Sequence, residues 1–155
     1  MNQAGAPVPV HVYRPVGALI MACLSGASLI IIVAVIAFAL PEGVRGSFTI
    51  AQDATLVLIL GTALAVLYGI GRTQVRTDGR GLHVVNGFRR HDVSWPEAVT
   101  VSLGRGAPWA VLDTADGDTV QLMGIQRSDG ARAVRAVREV RASIATHGSP
   151  AGDVT

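Results

Sequence analysis

Four histidines, one cysteine and eleven carboxylates are the groups through which this chain could do acid–base, nucleophilic or metal chemistry. His11, His83, His91 and His147 are scattered along it. Cys23 stands alone, which excludes an intramolecular disulfide. A hairpin could bring His83 and His91 together, but two histidines fall short of a usual metal-ligand set and read as polar surface residues. Asp113, Asp116 and Asp118 lack both the spacing of a calcium loop and its terminal Glu, and read as a hairpin turn. Gly104-x-Gly106 is a lone G-x-G between strands, without the following helix that a phosphate-binding loop needs. No Ser/His/Asp or Cys/His set has a supporting context. The sequence therefore predicts a non-enzymatic protein with no metal and no cofactor.

Arginine supplies all 13 cations against 11 acids, for a net charge of +2. Guanidinium does not deprotonate, so the pI of 9.3 reflects residue type more than a basic surface. No concentrated basic stripe points to nucleic acid. Two groups remain as candidate contacts for a protein partner or an anionic lipid. One is Arg89-Arg90 with nearby Arg80, and Arg105 farther along the chain. The other is Arg132, Arg135 and Arg138, continued by Arg141, on an expected helix. Steps of three residues carry these around half of the helix surface. The plainer reading is a solvated face with Glu139 pairing Arg135.

The elements that must position these groups begin with a bias in composition. Half of the residues are hydrophobic and 15% are charged, against roughly 25% charged in soluble domains. Mean hydropathy is +0.44. Val16 to Leu40 is uncharged and long enough to cross a hydrocarbon core of about 30 Å as a tilted helix. Ala54 to Ile70 is a second uncharged run, which Gly71 and the stem of Arg72 can extend, with Asp53 as its expected N-cap. Pro41 and Gly43 stop the first helix, giving a helical hairpin. Ala37-Phe38-Ala39 matches a signal-peptidase pattern, but the run exceeds the usual 7–15 residues of a signal core. Arg14 before the pair, and Arg72, Arg76 and Arg80 after it, outnumber Arg45 between, so both termini are expected in the cytoplasm. No ionisable residue lies inside either span, which argues against a pump or channel. Small residues recur every fourth position: Ala18, Ala22 and Gly26, then Gly61, Ala65 and Gly69. They form a candidate helix-packing face, used internally or by another membrane protein.

Beyond the second span, six short strands are expected: Gln74–Thr77, Leu82–Val85, Phe88–Trp95, Ala98–Leu103, Trp109–Thr114 and Thr119–Ile125. A seventh is expected within Gln74–Asn86 or around Met123. Asp78-Gly79, Asn86-Gly87 and Asp116-Gly117 supply turns. Val99, Val101 and Leu103 share a face by alternation. A helix from about Asp129 to Ala145, capped by Ser128 or Asp129, carries an apolar stripe of Val134, Val137, Val140 and Ile144. That stripe must close the strand sandwich or barrel. The division is a flexible tail over 1–15, a membrane hairpin over 16–72 (helices about 16–40 and 54–72), a cytoplasmic domain over 73–147 and a tail over 148–155.

Asp78-Gly-Arg-Gly-Leu-His-Val-Val-Asn-Gly-Phe-Arg-Arg-His-Asp-Val-Ser-Trp95-Pro-Glu-Ala-Val99 orders a glycine turn, a hairpin, an Arg-rich strand, Trp and Val. Pro108-Trp109-Ala-Val-Leu, Ala115-Asp-Gly-Asp-Thr-Val-Gln-Leu and the Ser-Asp-Gly-Ala-Arg-Ala-Val helix follow. This order, over Thr73 to Ile144, resembles the bacterial pleckstrin-homology (PH) domain, in the actinobacterial family named for low-molecular-weight protein antigen 6. The Lys-free, Ala/Gly/Val/Arg-rich composition fits such a source. The resemblance implies a PH-like antiparallel sandwich or barrel closed by a C-terminal helix, behind a membrane hairpin. It also implies an interaction module without an established activity. The expected role is an accessory or assembly subunit of a larger integral membrane protein complex, such as an actinobacterial respiratory supercomplex. The alternative is a peripheral sensor of anionic lipid headgroups.

Overall fold

The computed structural model describes residues 10–148. Three further elements accompany the expected ones, and each changes how the chain is organised.

Two helices are long and apolar enough to cross a membrane: α1, Val16–Ala39, and α3, Ile50–Gly71. Between them lies one turn of helix, α2, Glu42–Arg45. Arg45 reaches back to the carbonyls that end α1, donating to Leu40 O at 2.9 Å and Phe38 O at 3.5 Å. These carbonyls lack intrahelical partners, so the guanidinium satisfies a helix end rather than standing free in a loop. α3 starts earlier than the expected cap at Asp53, which lies within its first turn. Thr49 and Gln52 form a capping box instead. Thr49 N donates to Gln52 Oε1 at 2.8 Å, and Gln52 N donates to Thr49 Oγ1 at 3.4 Å. Most of the large side chains on both helices are exposed.

The second unit is a β domain whose first strand precedes α1. The strands are β1, His11–Tyr13; β2, Gln74–Thr77; β3, Gly81–Asn86; β4, Arg89–Ser94; β5, Ala98–Ser102; β6, Trp109–Thr114; and β7, Thr119–Gln126. All pairings are antiparallel, in one sheet ordered β1-β2-β3-β4 and another ordered β5-β6-β7. The two sheets are separate, so the barrel alternative is not formed. The seventh strand is not hidden in Gln74–Asn86 or near Met123. It is β1, which pairs with β2 from His11 opposite Thr77 to Tyr13 opposite Val75. The tail expected over 1–15 therefore contains a strand, and both apolar helices are inserted between two paired strands of one domain. Residues 1–9 of that tail and 149–155 of the C-terminal tail lie outside the described residues.

A 3₁₀ turn, Arg127–Asp129, leads into α4, Ala131–His147. Gly130 occupies the N-cap, and neither Ser128 nor Asp129 caps the helix. Asp129 Oδ1 accepts from Gly17 N at 3.3 Å instead. α4 buries Ala133, Ala136, Val137, Val140 and Ile144. Val134, expected in the stripe, is 49% exposed against 6% for Val137, because small alanines take the inward positions. The core joins these residues to Val75, Leu82, Val84, Val93, Trp95, Val101, Leu112, Leu122 and Ile125. Val99 also departs from its expected face. The register slips between Ala98 and Thr100, and this bulge turns Val99 outward while Ala98 and Val101 stay buried.

Two residues bring the sheets together. A Cβ on Gly124 of β7 would lie 2.7 Å from Val75 N of β2, so only glycine allows this approach. Asn86 of β3 donates through Nδ2 to Gln121 O at 2.7 Å and accepts from Met123 N at 3.2 Å.

Candidate functional site

Asn86 stays in its strand because the hairpin loop is Gly87-Phe88, one residue later than Asn86-Gly87. Asn86 pairs with Arg89 across it. Gly87 has φ 61 and Phe88 has no positive φ, the pattern of a turn with glycine at its first central position. Gly87 N donates to Thr73 Oγ1 at 3.1 Å, and the Arg72 guanidinium carbon lies 5.9 Å from the centre of the Phe88 ring. Phe88 is 65% exposed.

Strand alternation then divides the Arg89-Arg90 pair. Arg89 lies opposite Asn86 and shares the parity of His91, Val93, Val84 and Leu82. Arg90 lies opposite Val85 on the other face, and Val85 lies opposite Gln74. Both arginines are exposed. Gln74 in turn accepts from Arg14 Nε at 3.1 Å. Arg14, Arg72, Arg89 and Arg90 thus collect around the β3–β4 tip.

The far end of the same sheet holds Asp78, Asp92 and Glu97 together with Arg76, opposite His83, and Arg80 in the β2–β3 turn. His83 sits between two carboxylates, with Nε2 3.0 Å from Asp78 Oδ2 and Nδ1 2.6 Å from Asp92 Oδ1. Doubly protonated, the ring donates to both; neutral, it donates to one. The Arg80 N–H, 2.9 Å from Asp78 Oδ1, holds the Asp78 carboxyl below its ordinary range, and His83 adds to that. The Ser94 N–H does the same for Glu97 at 2.8 Å. His83 and His91 fall on opposite faces and are not brought together, since His83 lies opposite Asp92 and His91 opposite Val84. Among the described residues no group of three or more His, Cys, Asp or Glu is placed to hold a metal ion.

Arg132, Arg135 and Arg138 are exposed on α4. Glu139 accepts the Tyr13 hydroxyl at 3.0 Å rather than pairing Arg135, which ties β1 to α4. Burial and this carboxylate push the Tyr13 hydroxyl pKa up. Arg141 is held by structure: its Nε donates to Val101 O at 2.5 Å. Arg105 lies exposed in the β5–β6 loop. That loop is shaped by Arg127, which donates to Ala107 O at 2.8 Å, Leu103 O at 3.4 Å and Gly104 O. Arg127, Tyr13 and Asn86 carried no local sequence signal of these long-range bonds.

The small-residue face also divides. A Cβ on Gly26 of α1 would lie 3.7 Å from Leu67 of α3, and Ala22 is buried while Ala18 is partly covered. Gly69 is buried on α3. Gly61 and Ala65 face outward, with nothing within 4 Å of a Cβ on Gly61. A cavity of about 620 Å³ lies between the loop-end halves of α1 and α3, lined by apolar residues with Arg45 and Asp53.

A four-stranded and a three-stranded antiparallel sheet, followed by a C-terminal helix packed on their core, define a PH-like domain, here carrying two long apolar helices. Residues 72–143 match the bacterial PH domain family, and the chain belongs to it. Uncharacterized proteins of Mycobacterium tuberculosis (strain ATCC 25618 / H37Rv) and Mycobacterium bovis are each 35% identical over 124 residues, covering 78% of this chain and 80% of the relative. No solved structure matches the chain.

Proposed function

We propose that this protein is a non-enzymatic, membrane-anchored interaction module, serving as an accessory or assembly subunit of a larger membrane protein complex. The observation that carries the reading is the insertion of α1 and α3 between the paired strands β1 and β2. Each end of the helical pair enters the same folded domain, so the domain cannot detach from whatever medium the helices occupy. The exposed apolar side chains of both helices require lipid or other transmembrane helices around them. β1–β2 pairing supports a hairpin with both ends on one side, and the arginine bias supports the cytoplasmic side. The outward Gly61 and Ala65 suit close approach by a partner helix, and the 35% identical mycobacterial relatives support an actinobacterial setting, a respiratory supercomplex among the candidates. Purification from the native membrane in mild detergent, followed by mass spectrometry, tests the role. Stoichiometric large membrane subunits are expected. Recovery of the isolated chain would count against an accessory subunit.

A further inference from the structure

We infer that the outer edge of β4 pairs with the same edge of a second copy of this chain, antiparallel and centred on His91, joining two β1-β2-β3-β4 sheets into one. This contact lies within the β domain, and it requires neither the membrane reading of α1 and α3 nor the accessory role. β4 ends its sheet, and Arg89 to Asp92 are exposed along it. In an antiparallel ladder, hydrogen-bonded and non-bonded pairs alternate. The two-residue loop makes Asn86 and Arg89 a bonded pair. The same phase holds at the other end of β4, where Trp95 N donates to Arg80 O at 3.3 Å. Arg89, His91 and Val93 therefore turn their main-chain groups toward β3, while Arg90, Asp92 and Ser94 turn theirs outward. Glu97 takes those of Ser94: its Oε2 accepts from Ser94 N at 2.8 Å, and its N–H donates to Ser94 O at 3.1 Å. No hydrogen bond among the described residues takes the outward groups of Arg90 and Asp92. The other edges offer less. β1 has three residues, Arg141 occupies Val101 O on β5, and Asn86 bridges β7 to β3.

Side-chain charge then selects the occupant and the register. Outward groups can bond only to outward groups, so an antiparallel copy must be centred on Arg90, on His91 or on Asp92. Centring on Arg90 sets it against the partner's Arg90, and centring on Asp92 sets it against the partner's Asp92. Like charges directly opposite each other are destabilising, and unlike charges stabilise. Centring on His91 alone sets Arg90 against the partner's Asp92 and Asp92 against the partner's Arg90. The register that bonds every free group of the edge is thus the one its charges favour. Charges on an edge strand oppose indiscriminate pairing, and here they leave one self-complementary arrangement. Asp92 can serve both sides of it. His83 Nδ1 holds its Oδ1 at 2.6 Å, the side chain is 76% exposed, and the second oxygen is left for a guanidinium. On the opposite face of the strand, His91 meets the partner's His91 and Arg89 meets the partner's Val93, so no two arginines face each other. Each edge meets its own copy about a dyad, which closes the assembly at a dimer.

The test uses the full chain with Cys23→Ser, in native membranes and in mild detergent. His91→Cys puts two thiols across a non-bonded pair, with Cα atoms about 4.5 Å apart, within disulfide reach. Arg89→Cys, the control, puts them about 13 Å apart. Mild oxidation should cross-link the first at least about ten-fold faster than the second. Sedimentation equilibrium of the detergent-solubilised chain supplies the second measurement. Arg90→Asp and Asp92→Arg each set like charges at both ladder positions, and each should weaken self-association by about ten-fold or more. An equimolar mixture of the two variants restores unlike pairs at both positions and should regain the dimer. Arg90→Asp and the cross-link at 91 leave the His83–Asp92 bond untouched, so they decide the matter even where Asp92→Arg fails to fold. A chain that stays monomeric in both media overturns the inference. So does a dimer indifferent to the charge reversals, or equal cross-linking at 89 and 91. Cross-linking at 91 to a different protein, with no dimer, also overturns it, in favour of an unlike strand on this edge.

Discussion

Asn86 shows how far one side chain can act from its sequence neighbourhood. Asn-Gly ordinarily announces a turn, yet here the amide leaves the turn to Gly87-Phe88 and replaces a missing ladder between the sheets. Asn86→Ala removes an acceptor from the partly buried Met123 N–H and a donor from Gln121 O. Such losses cost about 1–3 kcal/mol, and the thermal midpoint of the detergent-solubilised chain should fall by several degrees. A midpoint unchanged within a degree would show that water replaces both bonds. Asp78 provides a second residue-scale expectation. Its folded pKa is lowered, first by the Arg80 N–H and then by His83. The unfolded chain then binds the proton more tightly, so the stabilisation is present above the ordinary carboxylate pKa of about 3.9 and is lost as pH falls through the lower folded value. Asp78→Asn should lower stability at neutral pH and flatten the acid limb of the thermal-midpoint profile. Parallel profiles for the two proteins would remove Asp78 from that limb.

At the scale of elements, what could be read in the sequence was whatever depends on neighbours. β2 to β7 lie in alternating runs separated by Gly, Pro and Asp turns, and α4 is an amphipathic stretch, so each was legible. β1 was not: its three residues follow a Pro-containing stretch, and their partner lies across both apolar helices, at His11 opposite Thr77. Only the folded chain joins them. The same limit affects the candidate contacts. Adjacent Arg89 and Arg90 read as a pair, but strand pairing puts them on opposite faces, and neither the approach of Arg72 to Phe88 nor the bond from Gly87 to Thr73 had a local signal. The helix stripe was right in type and wrong at one member, since periodicity does not tell a core valine from a flanking one when alanines compete. Paired substitutions test this. Val137→Asp places a carboxylate in the core and should unfold the β domain, a cost of several kcal/mol. Val134→Asp, at an exposed site, should stay within about 0.5 kcal/mol of the parent. Equal sensitivity at both sites would mean that α4 is rotated from the packing described.

For the whole molecule, the insertion of two apolar helices into one domain ties topology to folding. For helices that cross a bilayer as proposed, strands β1 and β2 can pair only when the segments before α1 and after α3 emerge on the same side of it. An even number of spans satisfies this; one span does not. Under the proposed function, the arginine bias puts that side in the cytoplasm, since Arg72, Arg76 and Arg80 follow α3 closely while Arg45 alone lies between the helices. Single cysteines in a Cys23→Ser background can read the result in intact cells. Ser47→Cys, in the connection between α2 and α3, should react with a membrane-impermeant maleimide before lysis. Asp116→Cys, in the β6–β7 turn, should react only after lysis. The reverse pattern would keep the hairpin and invert its orientation, moving the domain and its arginines to the other leaflet. Reaction of both before lysis would break the link between strand pairing and membrane crossing, and the helices would then have to lie on the bilayer or against other proteins rather than span it.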